Sequence, residues 1–277
     1  ILRYEEIHQI VQAAAGLGVK RVRLTGGEPL VRPELSKLVE LLSQVDGIDE
    51  ISMTTNATLL SRYAAGLKAA GLKRVNISLD TFKADRFQRI TGHDKLGDVL
   101  RGITAAQKAE LKPVKINTVV IKGINDDELL DFARASISDG WHVRYIEQMP
   151  LTAGSKESGF VSVQDIIATI NNSLGQLEPC QTASGNGPAK YYRLPGATGT
   201  IGFIGPLSDC FCSRCNRFRL TADGRLRPCL LEDSEINLKG PLRNGASPAE
   251  LEKLMQQAAA LKQERHRLSG DFALGKR

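Results

Sequence analysis

The 277-residue sequence contains no apolar run approaching the ~18 residues needed to cross a membrane, so no spanning helix is expected. No signal peptide is visible. The first residue is Ile1, not Met, and it sits beside a helical stretch, so these residues stay compatible with an N-terminal targeting segment ahead of them. No internal repeat and no low-complexity tract interrupts the chain, which leaves ordinary globular domains. Cysteine is scarce: Cys180, Cys210, Cys212, Cys215 and Cys229 make an odd set of five, four of them clustered. That set argues against a disulfide framework and for metal or cluster ligation.

What is present is enough for a substantial core, with 42% hydrophobic and 25% charged residues. The formal charge of +6 leaves three readings: a mildly basic surface, a nucleic-acid partner, or a polyanionic small ligand. Where the cations fall decides between them.

Helical periodicity over 4–18 (Ile7, Ile10, Val11, Ala14, Leu17) leads into a strand, Arg21 to Thr25. The cycle repeats, with helices near 33–44, 58–70, 82–110 and 126–138 and strands at 49–55, 73–79, 113–121 and 142–148. Such alternation predicts right-handed βαβ units and a parallel sheet. After Pro150 the rhythm breaks. A helix is expected near 163–170, short strands at 189–194, 199–204, 217–221 and 225–230, and a last helix near 248–263. The division expected is 1–150 for a partial barrel and 151–277 for an α+β module.

Strand side chains alternate between faces. With the apolar set packed on helices, the other face carries Arg21, Arg23 and Thr25, then Ser52, Thr54 and Asn56, then Asn76, Ser78 and Asp80. Lys115 and Asn117 come next, then Arg144. A closed (β/α)₈ barrel fills this space with Val, Ile and Leu. A polar lining means either an open sheet with one solvated face or a wide, incomplete barrel holding polar ligands. Inward cations outnumber inward acids, which suits an oxygen-rich anion such as a triphosphate and weakens the nucleic-acid reading. Gly26-Gly27-Glu28-Pro29 ends the first strand, where loops build active sites and glycine lets a backbone approach a ligand. The simpler reading is a tight strand-to-helix turn.

Cys212-x₂-Cys215-x₁₃-Cys229 is the most specific local pattern. Three thiolates, with Cys210 as a fourth, suit a structural zinc; three alone suit an iron–sulfur cluster with one iron left for a ligand atom. Spacing leaves the two equal. Arg217 and Arg219 come directly after at strand spacing, on one face.

Several segments together resemble the GTP 3′,8-cyclase family of radical S-adenosylmethionine enzymes. They are Val22 to Leu30 (VRLTGGEPL), Thr54-Thr55-Asn56, Asn76 to Thr81 (NISLDT), Tyr145 to Pro150 (YIEQMP) and Phe211 to Thr221 (FCSRCNRFRLT), with Gly224 and Cys229-Leu230 downstream. The resemblance covers essentially the whole chain. It implies an α/β fold: an incomplete (β/α)₆ TIM-type barrel, its first strand missing here, with a C-terminal α+β module carrying an auxiliary iron–sulfur site. It implies that Cys212, Cys215 and Cys229 ligate a second 4Fe–4S cluster, and that Arg23, Thr54, Lys115, Arg144, Arg217 and Arg219 contact GTP. Arg21 joins them with charge kept but a fork in place of a point donor. Gly27, Ser78 and Met149 match S-adenosylmethionine positions.

The implied activity is cyclisation of GTP to (8S)-3′,8-cyclo-7,8-dihydroguanosine 5′-triphosphate, at the start of molybdenum cofactor synthesis. Implied partners are an electron donor, a second copy of the chain, and a cyclic pyranopterin monophosphate synthase that takes the product, with no nucleic acid or membrane. The implied compartment is the cytoplasm, or the mitochondrial matrix in a eukaryote. The family's Cys-x₃-Cys-x₂-Cys loop, which holds the first cluster, and its Gly-Gly tail are not among these residues; both read as truncation. These 277 residues alone are therefore expected to bind GTP without generating a radical. Two rivals remain: a peptide-modifying radical enzyme with an auxiliary cluster, and a zinc-stabilised binding protein without catalysis. Cys180 and Cys210 carry no assigned role.

Overall fold

The computed structural model describes residues 1–149, 160–181, 187–209 and 211–263; Pro150, Cys210 and the residues from 264 onward lie outside them. In chain order the elements are α1 (Tyr4–Gly16), β1 (Arg21–Leu24), α2 (Leu35–Ser43), β2 (Glu50–Thr55), α3 (Leu60–Ala69), β3 (Arg74–Ser78), α4 (Ala84–Thr91) and α5 (Leu96–Lys108). Then come β4 (Lys115–Val120), α6 (Leu129–Ser138), β5 (His142–Glu147), α7 (Val163–Leu174), β6 (Glu178–Pro179), β7 (Lys190–Arg193) and β8 (Thr200–Ile204). The last are β9 (Arg219–Leu220), β10 (Arg225–Arg227), β11 (Ile236–Asn237), α8 (Lys239–Arg243) and α9 (Pro248–Ala260). The expected helical stretch over 82–110 is two helices. Gly92, at φ 77°, ends α4 in the left-handed region that glycine tolerates best.

Among the described residues, eight strands form one mostly parallel sheet in the order β1-β2-β3-β4-β5-β8-β7-β6, and β11-β10-β9 form a small second sheet. β4, β5 and β8 pair in parallel, whereas β7 runs antiparallel to β8 and β6 to β7. This is the α/β class the alternation of strand and helix predicts.

The chain divides into two compact units: Ile1–Thr54 with Ala65–Arg74 and Cys212–Arg277, and Thr55–Ala64 with Val75–Phe211. In the first, the apolar stripe of α1 (Ile10, Ala13) packs on Leu251, Met255 and Ala258 of α9, with Leu2, Leu226 and Leu238 completing the cluster. Ser247 starts α9 with a capping box to Glu250 and Pro248 beside it, so helix entry is written locally. Glu6 of α1 takes an ion pair from Arg243 of α8 at 2.7 Å, and Arg74 donates to Glu50 at 2.6 Å.

In the second unit, Val75, Ile77, Ile116 and Val143 of the strands are buried, as are Val99 and Ile103 of α5, Phe132 of α6 and Ile166 and Ile170 of α7. Full burial of each such side chain contributes about 1.5–3 kcal/mol. Phe82 stacks on Phe132 at 4.2 Å between ring centroids. These side chains occupy the helix-facing side, so the opposite side of the strands is left to polar residues.

Candidate functional site

The polar side of β3, β4 and β5 is where the second unit gathers charge. Strand register places Asn76 opposite Lys115, Lys115 opposite His142, and Asn117 opposite Arg144, all on one face. Lys115 is fully buried and Arg144 nearly so. Arg144 donates through Nε to the Tyr191 hydroxyl at 2.8 Å and through Nη1 to Asn76 Oδ1 at 3.3 Å. The Tyr191 ring lies 5.4 Å from Lys115 Nζ and 5.7 Å from Arg144 Cζ. His142 Nδ1 meets Thr200 Oγ1 at 2.8 Å. Burial, then the positive charges of Lys115, Arg144 and Arg193, lower the His142 pKa to about 4, so its ring is neutral at physiological pH. Two buried cations beside an uncharged histidine are chemically suited to anionic oxygen.

The loops after these strands are fastened together. Asp80 accepts from the Val119 N–H at 2.8 Å, and burial raises its pKa. Asn125 donates to the Asp80 and Val119 carbonyls and accepts from the Ile121 N–H, each near 2.8 Å. Glu128, fully buried, accepts from Thr81 Oγ1 at 2.6 Å, from the Phe82 N–H at 2.7 Å and from Arg86. Glu147 accepts from the backbone N–H groups of Val163, Leu207 and Ser208 at 3.0–3.2 Å. These bonds hold the strand ends that carry Ser78 and Met149, the first exposed and the second half-buried.

In the first unit, Arg21 and Arg23 alternate with half-buried Val22 and Leu24 and are exposed, while Thr54 is half-buried. Gly26 has φ 153°, a conformation side chains rarely adopt, and a Cβ built on Gly26 or Gly27 would meet nothing within 4 Å. The turn therefore keeps its backbone open on both glycines.

The same unit holds Cys212, Cys215 and Cys229. Cys212–Arg214 forms a tight turn closed by the Cys215 N–H on the Cys212 carbonyl at 3.0 Å. Cys212, Cys215 and Cys229 form no disulfide among the described residues, and each is partly buried. Burial alone would raise Cys215; the backbone and side chain of Arg217 and the charge of Lys262 outweigh it and lower the thiol to about 7. Lys262 Nζ stands 3.5 Å from Cys215 Sγ and 2.8 Å from the Arg217 carbonyl. Burial first, then Arg217, lowers the Arg219 pKa, and the charges of Cys229 and Cys215 oppose that shift, so both thiols act on one guanidinium. Among the described residues no three of His, Cys, Asp or Glu are grouped closely enough to hold a single metal ion. The donor chemistry, two thiols influencing one cation and a third a turn away, fits a thiolate-ligated group.

Alternation along the strands named Lys115 and Arg144, and they are brought together. It did not name Tyr191, His142, Thr200 or Lys262. His142 had a signal, since it lies two positions before Arg144 on one strand. Tyr191 and Lys262 had none.

A family model described as Molybdenum Cofactor Synthesis C matches residues 141–268, and one described as Radical SAM superfamily matches residues 1–135. The GTP 3′,8-cyclase of Pelotomaculum thermopropionicum is 50% identical over 270 residues, covering 97% of this chain and 83% of that protein. The GTP 3′,8-cyclase of Moorella thermoacetica is 50% identical over 273 residues, covering 98% and 84%. Among solved structures, Streptococcus suis SuiB matches with a TM-score of 0.63 and 13% identity over 85% of this chain and 57% of its own, a likeness of fold. By its identity to curated relatives over nearly its whole length, the chain belongs to the GTP 3′,8-cyclase family.

Proposed function

We propose that these residues supply the nucleotide-binding part of the radical cyclisation of GTP that the relatives' name describes, joining ribose C3′ to guanine C8 at the start of molybdenum cofactor synthesis; the loop that would hold the first cluster is not among them. The observation that carries the reading is the buried pair Lys115 and Arg144, set among Asn76, Tyr191 and neutral His142. In this reading the pair takes the triphosphate of GTP, because a low-dielectric wall strengthens each cation–oxygen contact. Arg21, Arg23, Thr54, Arg217 and Arg219 are the further GTP contacts, and Gly27, Ser78 and Met149 contact S-adenosylmethionine.

Cys212, Cys215 and Cys229 would hold a second 4Fe–4S cluster, with Lys262 and Arg217 favouring the thiolate form of Cys215. A bound cluster and S-adenosylmethionine would supply radical chemistry for hydrogen abstraction. The chain's own residues bind, orient and enclose the nucleotide. A low-potential electron donor and a downstream cyclic pyranopterin monophosphate synthase complete the proposed setting.

The test is anaerobic titration of Lys115→Ala and Arg144→Ala with GTP and with guanosine. The expected result is a loss of at least tenfold for GTP, with guanosine nearly unaffected, since a truncated charge contact costs about 2 kcal/mol or more. Equal losses for the two ligands remove the triphosphate from this face. In parallel, Cys→Ser at 212, 215 or 229 lowers iron and sulfide content; unchanged content in all three variants removes the second cluster.

A further inference from the structure

Tyr191 enters the polar face from β7, a strand antiparallel to its neighbour and distant in sequence from the cations it touches. Its hydroxyl accepts the Arg144 Nε–H at 2.8 Å, and Asn76 Oδ1 accepts from Nη1 at 3.3 Å. Two bonds from different nitrogens fix the plane of a guanidinium that otherwise turns about a long flexible stem. The same ring lies 5.4 Å from Lys115 Nζ, within the ~6 Å over which an aromatic face attracts a cation. One side chain therefore addresses both buried cations.

The neighbouring strand is adapted to it. Gly202 of β8 is the register partner of Arg144 and is paired with Tyr191 across β7. A Cβ there would lie 2.9 Å from Tyr191 Cε1, 3.1 Å from Cδ1 and 3.2 Å from Arg144 Cγ. Glycine at 202 leaves the volume the ring occupies. An alanine forces the ring or the arginine stem to shift.

We infer that Tyr191 is a positioning residue for anion binding: its hydroxyl orients the Arg144 guanidinium, its face steadies Lys115, and Gly202 supplies the space for its ring. This rests on Lys115 and Arg144 as triphosphate ligands. Arg144 is thereby pre-organised, so the ligand meets a fixed fork and does not bear the cost of ordering a mobile one.

The experiment uses the anaerobically prepared full chain and compares GTP, GDP, GMP and guanosine binding in wild type, Tyr191→Phe, Arg144→Ala, the double variant and Gly202→Ala. Tyr191→Phe keeps ring and volume and removes the hydroxyl alone. The expected result is about a tenfold weaker GTP affinity, the range for a hydrogen bond to a charged group. The loss shrinks as phosphates are removed, is absent for guanosine, and vanishes in the Arg144→Ala background. Gly202→Ala shows the same phosphate-graded loss. Wild-type GTP affinity in Tyr191→Phe beside a weakened Arg144→Ala overturns this inference alone, as does an equal loss for all four ligands or a full loss persisting without Arg144. Arg144→Ala binding GTP as tightly as wild type overturns the triphosphate reading, and this inference with it.

Discussion

His142 shares its face with Lys115 and Arg144 and also feels Arg193, so three cations on β4, β5 and β7 oppose its protonation. Its folded pKa, about 4, lies below the ordinary 6.5 of an unfolded chain. Between those values the unfolded state binds a proton that the folded state does not. The stabilising contribution is therefore complete above pH 6.5 and is lost as pH falls toward 4. Urea titrations of wild type and His142→Asn across that window should differ in slope, the variant being flatter; carboxylates titrate in both and cancel in the difference. Parallel slopes would show that His142 is not held neutral by its neighbours.

The site was partly legible at this scale. Alternation along β4 and β5 named Lys115 and Arg144 because the apolar partners Ile116 and Val143 mark the helix-facing side. Tyr191 is 47 positions from Arg144 in sequence, and its role comes from a strand pairing that no local pattern encodes.

At the scale of elements, the fastening of the β3–α4 loop to the start of α6 shows which ion pairs matter. Lys83 and Asp127 are both half exposed, and such a pair is worth about 0–1 kcal/mol. Glu128 is fully buried, with Thr81, the Phe82 N–H and Arg86 all turned onto its carboxylate. Removing it leaves the buried Thr81 hydroxyl and the Phe82 N–H without their acceptor, while Arg86 keeps its pair with Asp127. Glu128→Ala should therefore cost about 2–4 kcal/mol, and Lys83→Ala no more than about 0.5, both read from denaturant midpoints. A Glu128→Ala loss as small as that of Lys83→Ala would mean that water reaches the carboxylate freely. The alternation of helices and strands before residue 150 was readable because each amphipathic period is local. The β9–β11 ribbon and α8 were not readable in full, since elements of two to five residues carry too few positions for a period. Nor was the parallel pairing of β8 with β5, which depends on strands 58 residues apart.

For the whole molecule, a net charge of +6 says less than where its cations lie. Lys115 and Arg144 are buried, while Arg21 and Arg23 are exposed. Salt distinguishes the two classes. Counter-ions screen exposed charges over about 10 Å at 0.1 M ionic strength and reach buried ones far less. If all four side chains contact GTP, the affinity lost in Arg21→Ala or Arg23→Ala should be largest at about 0.05 M salt and nearly gone at about 0.5 M. The loss in Lys115→Ala or Arg144→Ala should survive that change largely intact. Isothermal titration of the four variants at both ionic strengths measures it directly. Losses that fade in parallel would place Lys115 and Arg144 within reach of bulk ions when ligand binds, and the buried wall would then no longer account for triphosphate selectivity. Losses that separate would mean the fold keeps its most effective cations where salt cannot compete, and uses the exposed ones to draw an anion in.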